Sequence, residues 1–177
     1  PRVSYRETVQ HAVEVEGHCH RTLGGQALFA ELAVRIEPFD GGSRSVTVVS
    51  ACGDALPAPL LAAAVETLTQ HGDGGGLLGF PLMNVKMTLL GGRTHETESN
   101  EVAFRMAAAD AFNKALREAG IVLLEPIMRL EVTTPEEHLG DFVSDLQKRR
   151  AVITRTHTRG RNTVVEAQAP LAELFGY

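Results

Sequence analysis

Three groups of residues in this sequence have types and spacings that could do chemistry. His18-Cys19-His20 puts two imidazoles on one face of a strand, because alternate strand residues share a face. That is a feasible pair of metal ligands. Zinc needs three or four, and no second Cys/His cluster with ligand spacing follows, so exposed strand histidines without a metal are expected. His95 lies in the stretch GGRTHETESNE, ahead of the strongest helical pattern. With Glu96 and Glu98 beside it, His95 could serve as an acid–base site; a polar loop histidine with no such role fits the spacing equally well. Asp73 to Gly79 reads DGGGLLG. Glycines can cradle phosphate, but no Gly-Lys-Ser/Thr is present and the run follows a helix, so a helix stop with a flexible turn is the better account.

The cysteines Cys19 and Cys52 lack a local histidine and orienting group that would make either a nucleophile. Two free thiols in a reducing compartment are the simpler reading than a disulfide. No Ser-His-Asp pattern is localised.

These candidates sit on a chain of 177 residues, enough for one domain or two small ones. Hydrophobic residues make up 44% and charged ones 22%, so a core can be buried. With aromatics at 5% and no Trp, that core must come from Leu, Val, Ile and Ala. The net charge of -5 argues against gripping nucleic acid through bulk positive charge. Lys148, Arg149, Arg150, Arg155, Arg159 and Arg161 cluster late, and solvated loop and helix-end charges explain them better than a basic face. No apolar run approaches the ~20 residues of a membrane span, and PRVSYRETVQ does not read as a secretory signal.

The elements that must position these residues follow from periodicity. His11 to Arg21 alternates weakly as a strand. Leu28, Ala30, Leu32, Val34 and Ile36 share one face of a strand from Leu28 to Pro38. After the turn cluster Asp40-Gly41-Gly42-Ser43, Ser45 to Val49 is β-branched and reads as the second arm of a hairpin. Pro57 opens a helix to about His71, ended by Gly72 to Gly76. Val85 to Leu90 is a strand, and Gly91 to Ser99 a loop. Phe104, Ala107, Ala108, Ala111, Phe112, Ala115 and Leu116 form a helical stripe, capped by Ser99 or Asn100 and stopped by Gly120. Ile121 to Leu124 and Ile127 to Val132 are strands. Thr134-Pro135-Glu136-Glu137 reads as a capping box for a helix burying Leu139, Phe142, Val143 and Leu146. Ala151 to Thr158 and Thr163 to Ala169 are strands, and LAELFGY starts a helix. The second half is most of a split β-α-β unit of ferredoxin-like type, without its last strand.

Several strings resemble elongation factor G, in its domains IV and V. PRVSYRET, IEPF at Ile36 to Phe39, ALPAPLLAAAVE and GFPLMNVKMTLLGG are similar to domain IV. LLEPIMRLEVTTPEEHLGDFVSDLQKRR and APLAELFGY match domain V, and the likeness covers essentially the whole chain. Cys52-Gly53 stands where the family has a Gly-Gly pair. The resemblance implies an α+β chain of two small domains. Residues 1–124 correspond to domain IV, a β-α-β arrangement like the second domain of a small-subunit ribosomal protein. Residues 125–177 correspond to a ferredoxin-like domain V lacking its last strand.

The family's domain IV tip enters the small-subunit decoding site and keeps tRNA and mRNA in register during translocation. Domain V lies near the large subunit's GTPase-associated region. One tip loop typically reads QSGGRGQY; here it is TLGGQALF, Thr22 to Phe29, keeping Gly24 and Gly25 but placing Leu23 and Leu28 at polar positions. The other typically reads HDVDSSE; here it is HETESNE, keeping His95 and Glu101. The resemblance therefore makes Thr22, Leu23, Gly24, Gly25, Gln26, His95, Glu96 and Ser99 the decoding-site contacts. It makes Lys148, Arg149 and Arg150 weaker ribosomal RNA contacts, with no catalytic residue and no metal ligand.

No G-x-x-x-x-G-K-[ST] occurs, so this chain is expected neither to bind nor to hydrolyse GTP. The resemblance implies that GTP and Mg are bound by the GTPase domain of a longer, cytoplasmic parent. The altered tip loops suit a divergent elongation-factor-G-like paralogue, and the alternative function is a ribosome recycling or ribosome-protection factor that displaces a ligand without translocating. An unrelated enzyme built on His95 is the third reading. The strand edge left by the missing last strand should invite self-association.

Overall fold

The computed structural model describes residues 2–41 and 45–176. It divides into two units, one spanning Arg6–Leu124 and one that begins at Glu125 and takes in the residues ahead of Arg6. The fold is α+β.

In the first unit the elements are β1 (Arg6–Val9), β2 (Val13–Leu23), β3 (Gln26–Pro38), β4 (Thr47–Ser50), α1 (Ala58–Gly74), β5 (Val85–Arg93), α2 (Glu101–Ala119) and β6 (Ile121–Leu124). A four-stranded sheet runs in the order β2-β3-β5-β4, and β1 pairs with β6 as a separate ribbon. The inward face of β3 carries Leu28, Ala30, Leu32, Val34 and Ile36, all buried, as its alternation predicts. Both helices contribute to the core against these strands, and α2 does so with the expected stripe. The alanines keep that interface thin. A Cβ on Gly17 would collide with the Ala107 carbonyl oxygen, so only glycine admits α2 this close to β2.

The expected hairpin of β3 with β4 does not form. The partner of β3 is β2 and then β5, while β4 is an edge strand lying parallel to β5. The β-branched run marks a strand but says nothing about its partner, and the parallel pairing makes α1 part of the crossover between β4 and β5. Of the turn cluster between β3 and β4, Gly42 and Ser43 lie outside the described residues, as do Pro1 and Tyr177 at the ends of the matched strings. The short β1 overlaps PRVSYRET, the string that resembles the strand opening domain IV; its four residues carry too little periodicity to show a strand by themselves.

The second unit has β7 (Ile127–Pro135), α3 (Leu139–Lys148), β8 (Val152–Arg159) and β9 (Asn162–Pro170), in the sheet order β7-β9-β8. Strand β9 separates the two strands that α3 connects, which is the split β-α-β arrangement. Its core is small: Leu146, Val165 and Ala167 are buried, with Leu130, Leu139, Ala151 and Ile153 packed around them. The capping box does not form. Strand β7 continues through Thr134, which pairs with Thr163, and the Thr134 hydroxyl donates to the Pro135 carbonyl at 3.2 Å. A 3-10 turn, Glu136–His138, leads into α3 instead, and among the described residues no side chain caps either. LAELFGY contributes a 3-10 turn, Leu171–Glu173.

Candidate functional site

Strands β2 and β3 pair without interruption from Val13↔Ile36 to Leu23↔Gln26, leaving Gly24 and Gly25 as a two-residue turn. Both glycines have positive φ, 56° and 79°, as a tight hairpin turn requires of both central residues. A Cβ on either would meet nothing within 4 Å, so the constraint there is backbone conformation alone. Thr22, Leu23 and Gln26 flank the turn and are exposed, Leu23 at 46%. Leu28 does not belong to this tip. It is 5% exposed and faces the core, because the hairpin has already begun by Gln26.

The loop from Thr94 to Asn100 is fastened beside this hairpin. The Phe29 N–H donates to the Glu98 carbonyl at 2.9 Å, and the Ser99 hydroxyl donates to the Phe29 carbonyl at 2.6 Å. Ser99 Oγ in turn accepts from the His95 N–H at 2.8 Å. Ser99 is thus a clamp within the loop. Asn100 then caps α2, its side chain accepting from the Ala103 N–H at 2.8 Å. His95 and Glu96 are exposed at the loop's outer edge.

The Thr97 N–H lies 3.2 Å from His95 Nδ1 and donates to it. Nδ1 is thereby engaged within the loop, which leaves Nε2 as the ring nitrogen for a partner outside it. The Phe29 ring is stacked on His20 (centroids 4.9 Å apart, 12° between planes) and tilted against His95 (6.3 Å, 56°). An aromatic residue therefore connects the two tip loops.

The His-Cys-His motif separates by face. Cys19 is buried against Met106 of α2, with its Sγ 3.9 Å from the Met106 sulfur. Burial pushes its thiol up, only partly opposed by Arg21, so it is a poor nucleophile. Cys52 is also buried, its thiol donating to the Leu89 carbonyl at 3.3 Å. His18 and His20 lie on the open face, together with Glu31 of β3. Sequence spacing along one strand missed Glu31; the signal for it is the cross-strand register, His18↔Glu31.

The glycine run after α1 does cradle an anion, and the anion is the chain's own. The Glu7 carboxylate is fully buried and accepts from the Phe80 N–H at 2.8 Å and from the Leu78 N–H at 3.1 and 3.2 Å. A Cβ on Gly76 would lie 2.5 Å from Glu7 Oε1. The run is closed to phosphate for that reason.

The basic trio at the end of α3 is largely engaged within its own unit. Arg150 grips Glu125 at 2.9 and 3.4 Å and Glu173 at 3.2 Å, and these acids raise its pKa further. Arg149 donates to Asp145 at 3.2 Å and to the Glu173 carbonyl at 2.6 Å. Lys148 is exposed.

The sequence compares with known proteins along its full length. The model of elongation factor G domain IV matches residues 1–120, and that of the elongation factor G C-terminus matches residues 122–177. Elongation factor G of Thermotoga maritima is 40% identical over 179 residues, covering 100% of this chain and 26% of that protein. The Thermotoga neapolitana protein is 39% identical over the same span. A crystal structure of a Thermus thermophilus protein superposes with a TM-score of 0.81 at 37% identity, over 100% of this chain and 26% of that one. The chain spans about a quarter of the length of the curated relatives it matches. With two consecutive family models accounting for nearly every residue, the chain belongs to the elongation factor G family, as its domain IV and C-terminal region.

Proposed function

We propose that this chain is the ribosome-contacting module of a translation GTPase and promotes tRNA–mRNA translocation, its tip entering the small-subunit decoding site. The observation that supports this most is the pairing of two exposed loops at one end of the sheet. The Gly24-Gly25 turn presents bare backbone, and the His95 loop presents a ring nitrogen, Nε2, that Thr97 does not engage. RNA is recognised by such close backbone approach and by hydrogen bonds to irregular, unstacked segments. Thr22, Gln26, Glu96 and Leu23 complete the contact surface. The second unit faces ribosomal RNA near the large subunit's GTPase-associated region. There Lys148 supplies the charge, and Arg149 and Arg150 hold the surrounding segment.

GTP binding and hydrolysis, with Mg, fall to other parts of a cytoplasmic parent protein. The deciding experiment is a single-turnover comparison in the full-length parent. His95→Ala should slow translocation about tenfold, the equivalent of one lost hydrogen bond, and leave GTP hydrolysis unchanged. Equal loss of both would remove the tip from the mechanism.

Leu23 supports a second reading. An apolar side chain 46% exposed at the turn replaces a polar contact to RNA, which suits a recycling or protection factor that displaces a ligand. Leu23→Ser separates the two. A gain in translocation would favour the displacement role for the native chain, and no gain the translocase.

A further inference from the structure

We propose that His18, His20 and Glu31 form a site for a divalent transition-metal ion, on the open face of the sheet below the tip. His18 and His20 are alternate residues of β2 and project from the same face; Glu31 stands opposite His18 on β3. One donor atom from each of the three lies within 4.8 Å of the others, and His20 Nε2 is 3.2 Å from Glu31 Oε1. Zinc–nitrogen bonds of about 2.0–2.1 Å put tetrahedral ligands roughly 3.3 Å apart. The His20–Glu31 pair already meets that spacing. His18 must close by at most about 1.5 Å on the same reckoning, which a 38%-exposed side chain does by rotating.

The donor set selects the ion. Two imidazoles and one carboxylate suit zinc, cobalt(II) or iron(II), whereas magnesium and calcium prefer all-oxygen sites. A fourth ligand is at hand, since Glu16 Oε2 lies 3.8 Å from His18 Nε2. The supports that metal ligands need are also present. Arg93 holds the other oxygen of Glu31 at 3.2 Å, and Phe29 stacks on the His20 ring and fixes its plane. Among the described residues His18 Nδ1 is buried and finds no hydrogen-bond partner, so this ring nitrogen is unsatisfied as it stands. The ion would bridge β2 to β3 four residues before Gly24 and stiffen the hairpin that carries the turn.

The test is titration of the untagged full chain with cobalt(II), read by its visible absorption bands, and with zinc against a chromophoric chelator. One equivalent should bind, and zinc should raise the thermal midpoint. His20→Ala and Glu31→Gln should each weaken binding on the order of 100-fold, and Arg93→Ala about tenfold. All three side chains are partly exposed, so the variants should keep the native circular dichroism. Failure to bind one equivalent would overturn the proposal. So would uptake that persists in the His20→Ala/Glu31→Gln double variant with native circular dichroism.

Discussion

Two glycine-bearing turns in the first unit look alike as strings and behave as opposites. The Gly74-to-Gly79 turn folds around the Glu7 carboxylate, which accepts from Leu78 and Phe80 and fills the space a side chain on Gly76 would need. The Gly24-Gly25 turn surrounds nothing, and a Cβ there would project into open space. Glycine is required in both, at Gly76 by crowding and at Gly24 by backbone conformation. A glycine run is therefore a ligand cradle only when the chain itself does not supply the ligand.

The largest expected effect breaks the closed turn. Glu7→Ala leaves two backbone N–H groups without their acceptor, at about 1–3 kcal/mol each, so a loss of roughly 3 kcal/mol in urea unfolding is expected. A loss below about 1 kcal/mol would mean that water replaces the carboxylate and that the turn is not built on it. Gly24→Val should cost less, about 1–2 kcal/mol for one residue held in the left-handed region. In the full-length parent it should nevertheless impair translocation more than Glu7→Ala does at a temperature where both are folded. The reverse ranking would dissolve the distinction between the structural turn and the working one.

What could be read beforehand follows the range of the interaction. Helix α2 is a local pattern, and its alanine stripe and Asn100 cap appear as expected. The faces of β3 were legible for the same reason. Glu7 was not, because its partners lie more than seventy positions away and no local signal connects them. Glu31 required the β2–β3 register, and β4 required knowing its partner. Thr134 misled because a capping box and the end of a strand share the same residues; the pairing of β7 with β9 decides between them. At the tip, the resemblance points to Gly24 and Gly25, but the clamping role of Ser99 depends on Phe29, seventy positions away, and no local pattern shows it.

That clamp gives the next smaller effect. Ser99→Ala removes the link from His95 N–H through Oγ to the Phe29 carbonyl. At about 1 kcal/mol per hydrogen bond the fold survives. The loop should lose its order, so hydrogen exchange at residues 94–99 should rise while exchange in β3 stays slow. Uniform exchange across both would show the loop and the hairpin to be one cooperative unit.

The smallest effect compares two carboxylates that both hold backbone. Asp110 of α2 accepts the His18 N–H at 2.9 Å and pairs with Lys114 at 2.7 Å, tying α2 to the base of the tip hairpin. Unlike Glu7, it is partly exposed. Desolvation pushes its pKa up, but the Lys114 hydrogen bond, the His18 N–H and the nearby positive charge prevail and hold it below the usual value. A folded pKa below the unfolded one means that the contribution is complete above the unfolded value of about 3.9. It is lost as pH falls through the folded pKa. Asp110→Asn should therefore flatten the stability profile below about pH 4 and change the slope at neutral pH little. Because water screens this pair, the difference should be small beside that of Glu7. An acid slope that is unchanged in Asp110→Asn would show that the hairpin's base is held by α2 packing against Gly17, with the carboxylate incidental.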